Sequence, residues 1–408
     1  MTEKKRAFLP YGQQYIDADD VEAVTAALRS DWLTTGPAVS QFEADMVGIT
    51  GARHAVACAN GTAALHLCAL VLGLGPGDSV IVPTLTFLAT VNAIRYVGAE
   101  VVFADVDPDT GLLSPKTLRS AIDGHMNKSS LKAVFVVHIN GQSADMSGIQ
   151  KIAQEGNLKI VEDACHALGG TQRDAHGRTT PVGACAMSDL TVFSFHPVKT
   201  VTMGEGGVVT TNNDDFNDRL RALRSHGIIR DAAHFVNQDL AFDQTGGPNP
   251  WYYEMHELGY NYRATDIQCA LGSSQLKKLE WFVARRTELV KLYDQSLQSL
   301  APAVRPVSRV NFGETGWHLY VVRINFKKIG VSRSDFMKKL SELGIGTQVH
   351  YVPVHRQPYY QERYGKLNCP GADAYYAQCL SLPLFPAMAD EDVSRVVDGL
   401  SSILTLNT

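Results

Sequence analysis

No stretch of about 18 consecutive apolar residues occurs in the sequence, which excludes a membrane-spanning helix. The opening MTEKKRAFLPYGQQ has lysines but no apolar segment behind them, so it does not read as a signal peptide. A strong excess of positive or negative charge is lacking too. The 37 basic and 42 acidic residues give a net charge of −5, with no basic run to grip nucleic acid. The seven cysteines (Cys58, Cys68, Cys165, Cys185, Cys269, Cys369 and Cys379) are odd in number, scattered and free of any CxxC pair. That pattern fits reduced thiols buried in a cytoplasmic enzyme better than a disulfide frame or a zinc site, with Cys165 read as a small core residue. Internal repeats and low-complexity tracts are absent as well. What remains is a 408-residue chain, 45% hydrophobic and 19% charged, long enough for two packed domains. The expectation is a soluble, cytoplasmic protein whose partners are neither nucleic acid nor a membrane.

Along the first 210 or so residues, short apolar runs alternate with helical patterns. HAVACA, SVIVP, AEVVFADVD, KAVFVVHI, KIVEDA and LTVFSF read as buried strands, each followed by a loop. DADDVEAVTAALRS reads as a helix opened by Asp17, with Val21, Val24 and Leu28 on one apolar face. This alternation indicates an α/β domain with a mostly parallel sheet. After Asn213 a helix near Asp218–Ser225 leads into HFVNQDLAFDQTGGPNP, read as a long loop. DIQCALGSSQLKKLEWFVARRTELVKLYDQSL gives one long helix, or two with a break near Gly272. WHLYVVRIN and GTQVHYVPV read as strands, SRSDFMKKLSEL as a helix capped by Ser332 or Ser334, and ADEDVSRVVDGLSSIL as a closing helix. The expected division is a large domain over 1–265 and a smaller α+β domain over 266–408.

Ligands of an open parallel sheet bind beyond the carboxyl ends of its strands. The residues expected there are Asn60-Gly61-Thr62, Thr86-Phe87, His138, Asp163 to His166, and Ser194 with Lys199. Gly61 and Thr62 stand between a strand and a helix, where close backbone and free amides favour an anion; a plain turn and cap fits as well. Asp163 ends an apolar strand, so its carboxylate needs a partner. That partner is either a protonated pyridine nitrogen or a structural group. A lysine is usually surface charge, but Lys199 lies between two strand-like segments beside Gly204, Gly206 and Gly207. Desolvated there, it would suit imine formation and proton transfer. Ser194 is either a donor to a phosphate or an ordinary turn residue. Together these groups supply a phosphate cradle, an aromatic face, a carboxylate and an amine.

The segments ANGTAALHL, VPTLTFLATVNAI, VEDACHALGG, TVFSFHPVKTVTMGEGGVVTTN and ELGYNYRATDIQCALGSSQL resemble the DegT–StrS family of sugar-nucleotide aminotransferases. The likeness runs from about Pro10 to Leu404. It implies a fold-type I pyridoxal-phosphate transferase with a mostly parallel seven-stranded sheet and a smaller C-terminal domain. It implies Lys199 as the Schiff-base lysine, Asp163 on the pyridine nitrogen and Phe87 stacked on the ring. Gly61, Thr62 and Ser194 would lie at the phosphate, and His166 near the ring. Asn261 would reach the phosphate of a neighbouring subunit, making an obligate homodimer with shared active sites.

FSFHPVK, PWYYEMHELGYNYR, HYVPVHRQPYY and CLSLPLFP are most similar to the family's pseudaminic-acid-pathway transaminases. That likeness implies amination at C4 of a UDP-linked 4-keto-6-deoxy-N-acetylhexosamine (the L-altrosamine type), with L-glutamate as donor and 2-oxoglutarate as product. Met203, Asn140 and Ser143 depart from the family pattern and are expected on the substrate side. The alternatives are a transaminase for another keto sugar, such as the GDP-perosamine type, and a non-catalytic cofactor-binding regulator. A sugar dehydratase would carry histidine in place of Lys199. GLGPG at Gly73–Gly77 follows a helix, the wrong context for a dinucleotide fingerprint. No metal is expected, because His350 and His355 flank Pro353 at five-residue spacing. A substrate-pocket or structural role suits both.

Overall fold

The apolar runs of the first half form one seven-stranded sheet in the computed structural model, which describes residues 7–405. We number its strands β1 (His54–Cys58), β2 (Ser79–Pro83), β3 (Glu100–Ala104), β4 (Leu131–Val137), β5 (Lys159–Asp163), β6 (Leu190–Ser194) and β7 (Gly207–Thr211). Their order across the sheet is β1-β7-β6-β5-β4-β2-β3. Only β7 runs against its neighbours; the other pairings are parallel. Helices cover both faces, which is why β2 is buried at every position and carries valine and isoleucine without alternation. On one face Val56, Val82, Phe135 and Val192 share a core with the helix Gly61–Val71. On the other, Ile81, Val134 and Val136 pack with Leu118, Met146 and Ile149 of two further helices.

Register aligns the strand ends. Val137 of β4 stands opposite Asp163 of β5, which stands opposite Val192 of β6. The His138 amide donates to the Asp163 carbonyl at 3.1 Å and the Ala164 amide to the Val192 carbonyl at 2.9 Å. Three loops therefore leave the sheet side by side.

In the C-terminal part, an antiparallel sheet of β8 (Val304–Pro306), β9 (Tyr320–Ile324) and β10 (Cys379–Leu382) packs with helices Leu279–Ser296, Arg333–Glu342 and Asp390–Thr405. Ser332 is the cap of the second of these, accepting from the Asp335 amide at 3.1 Å. Leu9 bridges to Ile345 and Leu384 donates to the Tyr11 carbonyl, so the segment after residue 7 is tied to this part. The segment around DIQCALGSSQL forms two helices, Asp266–Leu276 and Leu279–Ser296, and the break falls at Lys277–Lys278, not at Gly272. Gly272 is buried instead, where a Cβ would lie 2.7 Å from the Phe42 ring. The polar stretch after His234 is mostly loop but holds a short helix, Gln238–Ala241.

Two further expectations change. Helix Ala18–Arg29 forms as predicted, with an Asp17–Asp20 capping box. Its apolar stripe, however, faces outward: Val21 is 60% and Leu28 56% exposed, while Asp20 and Ala27 are buried. Asp20 goes inside because Ser274, Gln275 and Lys278 all donate to its carboxylate. GTQVHYVPV is not a strand. It is an extended segment with a single bridge, from Gln348 to Ser381, and it runs into the cavity described next.

Candidate active site

The strand-end loops enclose a cavity of about 600 Å³. Gly61, Thr62, Phe87, Asp163, His166, Ser194 and Lys199 all line it, so seven of the eight expected site residues converge. The eighth, Asn261, is exposed, bridges to Ser225 and does not line the cavity of its own chain.

Lys199 rides on the connection between β6 and β7. Phe195 and Met203 close that connection through backbone bonds of 2.9 Å, Phe195 donating to Gly206 and Met203 to Phe195. Phe195, Val201 and Met203 bury its apolar side, leaving the turn His196–Lys199 on the cavity. Burial pushes the Lys199 amine below its ordinary pKa, against the pull of the Cys165 thiol and the Asp163 carboxylate. A lysine so placed has more of its neutral, nucleophilic form than a surface lysine.

Asp163 is buried at the end of β5, and its two oxygens are held differently. One accepts from the Thr90 hydroxyl at 2.6 Å, the other from the Cys165 amide at 3.2 Å. Thr90 in turn meets Thr86 at 2.8 Å. Both threonines come from the β2 connection, so two strand ends aim one carboxylate.

Residue alternation along β5 sends Glu162 to the other face. There it is fully buried and lies 2.6 Å from Nε2 of His138. Ser188, Thr191 and Gln172 also donate to its oxygens. Burial pushes the Glu162 carboxyl up, but the bonds from His138, Ser188 and Gln172 outweigh it and hold the group below its ordinary range. His138 is thus corrected: it sits behind the sheet ends, pairs with Glu162, and does not line the cavity. Its Nδ1 accepts from the Ala144 amide at 3.2 Å.

A phosphate cradle is present at the start of helix Gly61–Val71. Asn60 caps the helix by accepting from the Ala63 amide at 2.8 Å. The Gly61 and Thr62 amides lie before the reach of any helical carbonyl and stay available to an anion. A Cβ at Gly61 would stand 2.9 Å from Cβ of Ser194, so glycine is what lets the turn close on Ser194. Phe87 keeps 55% of its surface exposed and offers a ring to the cavity. Cradle, ring, carboxylate and amine together fit the pyridoxal phosphate that the resemblance implies.

Several cavity residues were not singled out from the sequence: Tyr11, His196, Glu205, His318 and Tyr351 line it, and Thr90 holds Asp163. Of these, Thr90 alone carried a local signal, in the first turn of the helix Leu88–Tyr96 that follows Thr86. His350 lines the cavity, whereas His355 bonds Thr84 at 2.7 Å and is structural. Cys165 borders the cavity, and burial, then the Asp163 charge, pushes its thiol well above the ordinary range. That leaves it a poor nucleophile.

Met203, Asn140 and Ser143 are buried and do not line the cavity, contrary to expectation. Met203 packs with Phe42 and Phe195. Asn140 adopts φ 64°, a left-handed conformation that asparagine tolerates, and its side chain donates to Tyr375 at 3.0 Å. These departures alter packing rather than the cavity lining.

Three buried histidines near the cavity make stability sensitive to acid. Burial, then the charge of Lys199, pushes His350 down to about 3. His166 and His318 are likewise held well below the ordinary range, first by burial. Each folded pKa lies below the unfolded value of about 6.5, so the unfolded chain binds more protons as pH falls. Stability is therefore full above about pH 6.5 and lost towards pH 3, with His350 alone costing about 2 kcal/mol at pH 5. Denaturant midpoints at neutral pH and at pH 5 should differ accordingly, and His350→Asn should reduce the difference. Equal midpoints for the unaltered protein would contradict this burial argument.

Among the described residues no helix is long and apolar enough to cross a membrane. All seven cysteines are free.

Comparison with known proteins agrees with this geometry. Residues 14–401 match the DegT/DnrJ/EryC1/StrS aminotransferase family. The spore coat polysaccharide biosynthesis protein SpsC of Bacillus subtilis is 39% identical over 407 residues, covering 99% of each chain. The structure of Helicobacter pylori PseC, an aminotransferase involved in the biosynthesis of pseudoaminic acid, superposes with a TM-score of 0.86 at 26% identity, covering 98% of this chain and 100% of that one. The aminotransferase TlmJ from Streptoalloteichus hindustanus gives a TM-score of 0.85 at 28% identity, with 98% and 100% covered.

Proposed function

The chain belongs to the DegT/DnrJ/EryC1/StrS aminotransferase family, and from that premise we propose that it aminates C4 of a nucleotide-linked 4-keto-6-deoxy sugar, with L-glutamate as donor. Membership makes it a sugar aminotransferase that works with pyridoxal 5′-phosphate. The observation that carries the reading is the meeting of Lys199 and Asp163 in one cavity, at adjacent strand ends.

When bound, the cofactor draws electrons from the carbon that bears the amino group, so a proton there becomes removable. Lys199 would hold it covalently, Asp163 would pair with its ring nitrogen, and Phe87 would lie against the ring. Gly61, Thr62 and Ser194 would take the phosphate, with His166 beside the ring. The Lys199 amine would remove the proton from the α-carbon of glutamate; water would supply the keto oxygen of 2-oxoglutarate, and the amino group would stay behind for the sugar. In the second half-reaction Lys199 returns a proton to C4 of the sugar from its own side, which fixes the configuration of the new amine.

A homodimer follows from the same reading, with Asn261 of the partner subunit completing each phosphate site. The exposure of Asn261 and the outward stripe of Val21 and Leu28 support it. The reading also assigns 1–265 to cofactor binding and 266–408 to a smaller domain, and places the enzyme in the cytoplasm, where nucleotide sugars are its substrates. The UDP-4-keto-6-deoxy-N-acetyl-L-altrosamine type of acceptor is supported by FSFHPVK and HYVPVHRQPYY and by the likeness to PseC. Surface-glycan assembly is supported by the likeness to SpsC.

The test supplies purified holoenzyme with L-glutamate and separate UDP-linked and GDP-linked 4-keto-6-deoxy sugars, with products read by mass. The UDP-linked N-acetylated sugar should be converted to its 4-amino form. Turnover of the GDP-linked sugar alone would replace this acceptor with the perosamine type. No turnover of any keto sugar would leave a cofactor-binding regulator.

A further inference from the structure

One backbone amide sets the direction of a hydrogen-bond chain on the cavity wall. The Asn140 N–H donates to Nδ1 of His166 at 3.3 Å, so Nδ1 must present a lone pair. Burial, then the positive charge of Lys199, keeps the His166 ring neutral. Its single ring proton therefore sits on Nε2, which lies 3.0 Å from the Tyr351 hydroxyl. The opposite direction would need a proton on Nδ1, facing the Asn140 N–H. Tyr351 thus accepts from His166 and keeps its own proton uncommitted. Among the described residues no second partner takes that hydroxyl, and Tyr351 lines the cavity with its ring 5.8 Å from that of Phe87. The segment that carries it is anchored by His350, whose Nδ1 lies 2.7 Å from the Ser381 hydroxyl.

We propose that Tyr351 is a catalytic residue that donates a hydrogen bond to the oxygen at the reacting carbon whenever the C–O bond there forms or breaks. This rests on the aminotransferase reading above. A keto oxygen can only accept, and Tyr351 is a neutral donor beside the Phe87 ring, where the reacting carbon would lie. In the second half-reaction the nitrogen bonds to the keto carbon and the C–O bond breaks. The two hydrogens lost from the amine leave with the oxygen as water. Tyr351 retains its own proton throughout. When 2-oxoglutarate forms from glutamate the same exchange runs backwards, with water supplying the oxygen and its two hydrogens passing to the nitrogen.

Tyr351→Phe keeps the ring contact and removes only the donor. On holoenzyme, the glutamate-induced absorbance change should keep its rate within about threefold. Release of 2-oxoglutarate and conversion of the keto sugar should each slow by about 100-fold, the size expected for one lost donor. The isotope effect with α-deuterated glutamate should then shrink, because the proton-transfer step no longer limits. Slowing of the absorbance change by the same factor, or unchanged 2-oxoglutarate release, would overturn the proposal. A second measurement needs no cofactor: nitrogen-15 NMR of the apoprotein should show the His166 proton on Nε2, and a proton on Nδ1 would overturn the proposal too. Failure of the unaltered enzyme to convert any keto sugar would instead sink the function reading, with the NMR result still deciding the hydrogen-bond direction.

Discussion

Lys199→Ala should lower turnover by about four orders of magnitude or more, because one side chain serves as covalent anchor and as proton carrier. Proton transfer by a placed group alone contributes about 10²–10⁴ in rate, and the loss of the anchor adds to that. The fold should remain. Lys199 lies in a loop whose closure depends on Phe195, Met203 and their backbone bonds, none of which involve its amine. Burial disfavours that amine's charged form, so its removal should leave the denaturant midpoint equal to or above that of the unaltered chain. The check is turnover with L-glutamate and the keto sugar, alongside a denaturation curve. Activity near that of the unaltered enzyme would remove Lys199 from the mechanism, and a collapsed fold would mean that its amine has a structural role.

Asp163→Asn should slow both half-reactions by about 10²–10³, each measured in a single turnover. The amide keeps the shape of the carboxylate, and its carbonyl can still accept one of the bonds now made by Thr90 and Cys165. What disappears is the negative charge opposite the ring nitrogen. A neutral partner no longer favours the cationic ring, so electron withdrawal weakens in both directions. Glu162 cannot substitute for it, because strand alternation sends Glu162 to the far face, where His138, Gln172, Ser188 and Thr191 hold it. Slowing of only one half-reaction would assign Asp163 to a substrate instead of the ring. Equal rates would remove the electron-withdrawing role altogether.

The sheet and the strand-end residues were legible because their signals are local. Apolar runs closed by Asn60-Gly61, Pro83-Thr84 and Asp163-Ala164 announce both a buried strand and the loop leaving its end. Lys199 was legible because the apolar segments on either side leave nowhere else for the loop between them to point. His138 misled because a strand end has two faces. The position of Glu162 next to Asp163 already implied that one of the two carboxylates points away from the cavity and needs a buried partner. His318, Tyr351 and Tyr11 had no such signal. They reach the cavity from the segment just before β9, from an extended segment and from the residues around Leu9, through tertiary packing that no local pattern records. Helix Ala18–Arg29 shows the converse limit. Its period gives an apolar face, but not whether that face meets the chain's own core, and here the ion-paired Asp20 takes the inner side.

Whether Lys199 and Asp163 together hold a working pyridoxal phosphate is read most directly from the absorbance spectrum of the purified protein before and after L-glutamate, with no sugar present. The protein should be yellow and should bleach when glutamate is added. A protein that stays colourless when pyridoxal phosphate is supplied would contradict that role.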